Sequence, residues 1–166
     1  MLKEVKILAK LVSDFVVKYH DSWTEDPHLY IQMEYCPQTL RSVIKDKPLV
    51  FGRLSPAEPQ TVFEYFISCE ILRELLLCLK FIHEVIPPII HRDIKPDNIL
   101  ISTNSTNIKL GDFGLATEHD RQSKSHTHGV GTKNYMAPEI GFWGSKYDCK
   151  VDVYSMGMIM AKIFEM

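Results

Sequence analysis

From about Thr61 to Glu84 the chain carries Phe63, Phe66, Ile67, Ile71, Leu72, Leu75, Leu76, Leu79 and Ile82. At helical spacing these side chains cover more than one face, which predicts a long helix largely buried at the centre of a helical body. Pro87 and Pro88 end it, because proline cannot continue a helix. With 166 residues and 19.2 kDa, the chain has room for one ordinary domain or part of a larger one, and not for two. Hydrophobic residues make up 45% and charged residues 24%, which excludes disordered and fibrous classes.

Around that helix the pattern is mixed. Val5, Leu8, Leu11, Val12 and Phe15 recur at three- and four-residue steps and predict an amphipathic helix. It has no Ser, Thr, Asp or Asn ahead of it, so it is expected to begin upstream of residue 1. Phe15 to Tyr19 and Leu29 to Met33 read as two adjacent strands of a hairpin whose loop contains Asp26 and Pro27. A short helix near 39–45 precedes a loop with Pro48, Gly52, Pro56 and Pro59. Ile99 to Ile101 and Ile108 to Leu110 are strand-like runs, and Val151 to Phe164 resumes a helical pattern.

A net charge of -2 and a pI near 6.4 give no general electrostatic attraction to nucleic acid or an anionic membrane. Cys36, Cys69, Cys78 and Cys149 contain no C-x-x-C pair and read as free thiols in a reducing compartment. The charged start, Lys3-Glu4-Val5-Lys6, does not fit a signal peptide, and no apolar run approaches the roughly 18 residues of a membrane span. A cytosolic or nuclear location follows, with cytoplasmic as the working expectation.

Three short segments carry the chemistry: His91-Arg92-Asp93-Ile94-Lys95-Pro96-Asp97-Asn98, Asp112-Phe113-Gly114 and Ala137-Pro138-Glu139. In this order they resemble the catalytic loop, metal-binding loop and end of the activation segment of the eukaryotic protein kinases. The resemblance runs over essentially the whole chain. It implies an α+β protein-kinase-like fold, truncated, with a partial N-lobe and hinge over residues 1–36 and a partial, mainly helical C-lobe over residues 37–166. It also implies ATP and Mg²⁺ as cofactors and a protein as substrate. Phosphoryl transfer demands that nucleophile, metal and triphosphate be held in line. By resemblance Asp93 accepts or orients the proton of the substrate hydroxyl, Asn98 and Asp112 hold Mg²⁺, and Lys95 neutralises charge on the transferred group. A lysine two residues after the aspartate resembles the serine/threonine kinases.

Taken singly, an Asp or Asn in a loop is most often a turn or helix cap; the joint order of the motifs reverses that weighting. His91 resembles a packing residue that stacks with Phe113, Leu8 and Tyr19 in a column anchored by Asp152. Arg92 resembles the receptor for an activation-loop phosphate, since guanidinium pairs with phosphate bidentately. Leu29 to Cys36 resembles the last N-lobe strand and hinge, with Met33 as gatekeeper. The backbones of Glu34 and Cys36 would meet the adenine edge above Leu100, although an ordinary strand ending at Pro37 and a plain core leucine have the same pattern. Thr127 is the expected activating phosphorylation site, and Thr132 the residue that contacts Asp93 and Lys95. His119, His126 and His128 lack Cys partners and make a poor zinc set.

Within the kinases, Gln32-Met33-Glu34-Tyr35-Cys36, Gly131-Thr132-Lys133-Asn134-Tyr135-Met136-Ala137-Pro138-Glu139 and Tyr147 to Ser155 resemble the kinases of the α subunit of eukaryotic translation initiation factor two, above all the amino-acid-starvation type. That implies phosphorylation of a serine on this factor to lower translation under stress, and a possible kinase dimer. Neither the glycine-rich phosphate loop nor the strand lysine that pairs Glu4 occurs in these 166 residues; Gly129-Val130-Gly131 continues to Asn134 where a third glycine would fall. Glu4 and Glu139 are therefore expected to lack their family partners, and the 166 residues alone to be inactive. The competing reading is a non-catalytic kinase-like module that binds a partner.

Overall fold

A computed structural model describes residues 3–55, 57–102, 108–119, 129–141 and 147–165. It opens with α1 (Lys3–Lys10), whose Ile7 and Leu8 are buried. An antiparallel hairpin follows, β1 (Tyr19–Glu25) and β2 (His28–Met33), with Trp23 opposite Tyr30. The first strand thus starts where the apolar run Phe15 to Tyr19 was expected to end. Val16 and Val17 are both buried, whereas a half-exposed strand would alternate. They cross the core beside Leu110, whose N–H donates to the Phe15 carbonyl and whose carbonyl accepts from the Val17 N–H, each at 2.9 Å. The hairpin itself is mostly exposed and polar, so hydrophobicity did not mark its first strand.

After β3 (Gln38–Thr39), α2 runs over Leu40–Val50, five residues beyond the expected end. Its start is a capping box between Thr39 and Ser42. Its extension through Pro48 forfeits one backbone bond but is anchored by Lys47, which is buried and donates to Ser68 Oγ at 3.3 Å and to the Ile163 carbonyl. The long helix, α3 (Val62–Glu84), is capped by Thr61 and Glu64. Only one side is buried, through Leu75, Cys78, Leu79 and Ile82, while Phe63, Phe66 and Leu76 are about half exposed or more. A largely buried helix was expected; among the described residues α3 is covered on one side alone.

The short strands position the loops. β4 (Ile89–Ile90) pairs with β7 (Thr117–Glu118), and β5 (Ile99–Ile101) lies between β3 and β6 (Ile108–Leu110), all antiparallel. A 3₁₀ turn at Pro138–Gly141 leads to α4 (Lys150–Ile163). The main core joins Leu8, Val16, Leu79, Ile82, Ile94, Leu110, Phe113 and Ile159. The chain is α+β in the sense expected.

One buried polar cluster has no counterpart in the sequence reading. The Arg53 guanidinium donates to Glu64 at 2.6 Å and to Glu165 at 2.7 Å, with Lys47 3.7 Å from Glu64. It ties α2, the start of α3 and the end of α4 together; its members are too far apart in sequence for spacing to reveal it.

Candidate active site

Asp152, fully buried on α4, sets the geometry. Its Oδ2 accepts from the His91 N–H and stands 2.9 Å from His83 Nε2, while its Oδ1 accepts from the Arg92 N–H at 2.9 Å. This fixes the chain leaving β4, where Arg92 takes the left-handed φ of 68°. The His91 ring centroid lies 4.7 Å from that of Phe113, and Nε2 pairs with the Gly111 carbonyl at 2.9 Å. Leu8, Phe113 and Tyr19 meet in the same core. The loops after β4 and β6 are therefore stitched to each other and to α4.

Asp93 projects from this anchored turn. Its Oδ1 accepts from the Thr132 hydroxyl at 2.8 Å; its Oδ2 accepts from Lys95 Nζ at 2.7 Å and Asn98 Nδ2 at 3.1 Å. Burial would raise its pKa, but the bonds from Lys95 and Thr132 outweigh it and hold the carboxyl below its ordinary value. The same contact with Asp93 raises Lys95. Lys95 also donates to Thr132 at 3.1 Å. Thr132 reaches the loop because its neighbour Gly131, at φ 116°, lies against it: a Cβ there would meet the Arg92 carbonyl at 2.7 Å. The result is an ionised carboxylate beside an ammonium and a hydroxyl, able to accept or orient a proton.

Asp112 lies at the end of β6, exposed, with φ 55°. Its Oδ1 accepts a long bond of 3.4 Å from the Gly114 N–H. A Cβ on Gly114 would sit 3.3 Å from that oxygen and 3.6 Å from Glu4 Oε2, so the two carboxylates border one small space. Burial and then the charge of Asp112 push the Glu4 carboxyl up, and among the described residues no lysine or arginine pairs with it. Glu139 is engaged within the chain.

Along the other edge, β3 lies against β5, with Thr39 opposite Leu100. Thr39 and Leu100 are thereby neighbours, and Gly111 packs so closely that a Cβ would meet Leu100 Cδ1 at 2.8 Å. Glu34 is locked by its side chain, which accepts from the Lys18 N–H at 2.7 Å and pairs with Lys109 at 2.8 Å. Met33 is exposed, and burial raises the half-buried Cys36 thiol.

Arg92 is nearly buried, its Nε donating to the Leu115 carbonyl at 2.6 Å and Nη1 to the Tyr147 hydroxyl at 3.1 Å. Lys3 stands close enough that burial and the Arg92 charge lower it, and it donates to Thr117 Oγ1 at 2.8 Å. Thr127, His126 and His128 lie outside the described residues. The sequence reading missed the partners that hold these groups: Tyr147 for Arg92, Lys109 for Glu34, and Arg41, which grips Asp97 bidentately and donates its N–H to the Pro96 carbonyl at 3.1 Å. No spacing rule links residues so distant in sequence.

The family model "Protein kinase domain" matches residues 1–166. The chain belongs to the protein kinase family. Among curated relatives, the kinase domain is 38% identical over 164 residues to serine/threonine-protein kinase KIC1 of Saccharomyces cerevisiae, covering 97% of this chain and 14% of that protein. It is 35% identical over 163 residues to serine/threonine-protein kinase MAK of Mus musculus, covering 98% and 24%. To eIF-2-alpha kinase GCN2 of Schizosaccharomyces pombe it is 40% identical over 154 residues, covering 83% and 8%. The kinase domain thus spans a quarter or less of the length of these relatives.

Proposed function

We propose that residues 1–166 are the central part of an ATP- and Mg²⁺-dependent serine/threonine protein kinase, with residues 1–36 contributing to the N-lobe and hinge and residues 37–166 to the C-lobe. The observation that carries this reading is the single network of Asp93, Lys95, Asn98 and Thr132, with Asp112 on the adjoining loop, in a chain of the kinase family.

The donor set suits the cofactor. Asn98 spends its amide nitrogen on Asp93, which leaves its carbonyl oxygen, and the Asp112 carboxylate is accessible. Two hard oxygen donors, one carboxylate and one amide carbonyl, suit Mg²⁺, which keeps waters and substrate phosphates in its shell. Among the described residues no trio of His, Cys, Asp or Glu forms a metal site on its own. When bound, Mg·ATP would supply the transferable phosphoryl group, and its Mg²⁺ the positive charge that offsets Asp112 and the nearby Glu4. Asp93 then receives the acceptor hydroxyl and orients its proton; Lys95, already charged, lies where negative charge develops; Thr132 holds both in register. The Glu34 and Cys36 backbones, Met33 and Leu100 form the adenine side. Arg92, with Lys3 beside it, receives a phosphorylated Thr127. Phosphoryl transfer requires a glycine-rich loop and strand lysine beyond these residues, so the 166-residue chain alone is inactive.

For the substrate we favour the α subunit of translation initiation factor two, acting in the cytoplasm under stress. The support is the Gln32 to Cys36 segment together with the relative named eIF-2-alpha kinase. A different serine/threonine kinase is the second reading, favoured by comparable identity to KIC1 and MAK. Radiolabelled phosphate transfer by the full-length gene product to the purified α subunit decides: serine labelling that Asp93→Asn abolishes supports the first, and labelling of generic substrates but not of this subunit removes it.

A further inference from the structure

A second hollow, of about 340 Å³, opens next to the site and is lined by Arg41, Ile44, Lys45, Pro96 and Lys162. Three of its five lining residues are cationic. Arg41 is neutralised by Asp97, but among the described residues no acid pairs with Lys45 or Lys162. Lys162 Nζ stands 5.9 Å from the centroid of the Tyr135 ring. Tyr135 belongs to the turn whose N–H groups at 135 and 136 donate to the Thr132 carbonyl, and Thr132 bonds Asp93. Pro96 is three residues from Asp93. Pro96, on the wall of the hollow, therefore lies within roughly 11 Å of Asp93, the limit set by three Cα spacings of about 3.8 Å, and the hollow adjoins the surface on which an acceptor hydroxyl would sit.

We propose that this hollow is a specificity subsite for an acidic side chain of the protein substrate, two to four residues from the phosphorylated one. The reach follows from an extended peptide's rise of about 3.3 Å per residue. Its walls supply what a carboxylate-bearing side chain needs: Ile44 and Pro96 against the methylenes, and two unpaired ammonium groups for the charge. Lysine suits this task, since its flexible stem lets either head reach a carboxylate whose position varies with the peptide. Arg41 is a wall, held planar against Asp97, and not the ligand. The inference rests on Asp93 being the acceptor's site.

The test separates it from that reading. Fluorescent peptides carrying alanine at the acceptor position, with Glu or Gln scanned over four positions on each side, are titrated into the full-length gene product, wild type and Lys45→Glu/Lys162→Glu, at low salt. We expect one Glu position two to four residues from the acceptor to tighten binding about tenfold over Gln. The double variant should lose that preference or transfer it to Lys peptides, and Lys45→Arg/Lys162→Arg should keep it. Equal affinity for Glu and Gln peptides at every position, or a Glu preference unaltered by the charge reversal in folded protein, overturns the subsite. Serine versions of the same peptides then report phosphate transfer: Glu-selective binding without Asp93-dependent transfer retains the subsite and removes the catalytic reading instead.

Discussion

Asp93 and Asp112 both follow short β-strands, yet Asp93 is buried with three side-chain donors within 3.1 Å, whereas Asp112 is exposed and takes a backbone donor at 3.4 Å. The difference extends to their neighbours. The loop of Asp93 is anchored by Asp152 through two backbone N–H groups, and its charge is matched by Lys95. The edge of Asp112 faces Glu4, a second carboxylate that its charge helps to push up. One side is preorganised by hydrogen bonds made within the chain; the other holds negative charge that a cation must complete.

Removing the anchor should break the first side. Asp152→Ala takes a buried carboxylate from two N–H donors and His83, and we expect a loss of roughly 3–5 kcal/mol in urea-monitored stability. A loss under 1 kcal/mol would mean that the loop is held otherwise. Thr132→Val should be milder, costing about 1–2 kcal/mol as Asp93 and Lys95 lose a shared partner. In the same variant the Asp93 carboxyl, followed by NMR, should titrate at higher pH, because one of the bonds that hold it down is gone. An unchanged midpoint would contradict the network.

How much of this contrast could be read beforehand depends on sequence distance. Asp93, Lys95 and Asn98 fall within six residues, and their order with Asp112-Phe113-Gly114 exposed the family and the fold class. Capping boxes at Thr39 and Thr61 are local too, and the helices they start lie close to where periodicity put them. What stayed hidden is what folding alone brings together: Asp152 to His83, Lys109 to Glu34, Arg53 to Glu165. The start of β1 was missed for a related reason. Val16 and Val17 are apolar because they cross the core, and the exposed hairpin beside them advertises nothing to a hydrophobicity pattern.

The second side sharpens with pH. Glu4 has a folded pKa above its ordinary value near 4.5, so the folded chain holds that proton more tightly and stability falls as pH rises through the interval between the two. Asp93 runs the other way: its contribution is complete above its ordinary value near 3.8 and is lost as pH falls through the lower folded one. Glu4→Gln should therefore flatten the decline in the urea midpoint above pH 4.5, by a few tenths of a kcal/mol for a half-buried group still screened by solvent. A steeper decline would show that a cation already faces Glu4.

The most direct measurement is calorimetric titration of a non-hydrolysable ATP analogue into the full-length gene product, with and without Mg²⁺, for wild type, Asp112→Ala and Asp93→Asn. We predict binding that needs Mg²⁺, weakens at least about tenfold in Asp112→Ala and survives in Asp93→Asn. Nucleotide binding that ignores both Mg²⁺ and Asp112 would contradict the division of the cleft into a preorganised side and a cation-completed one.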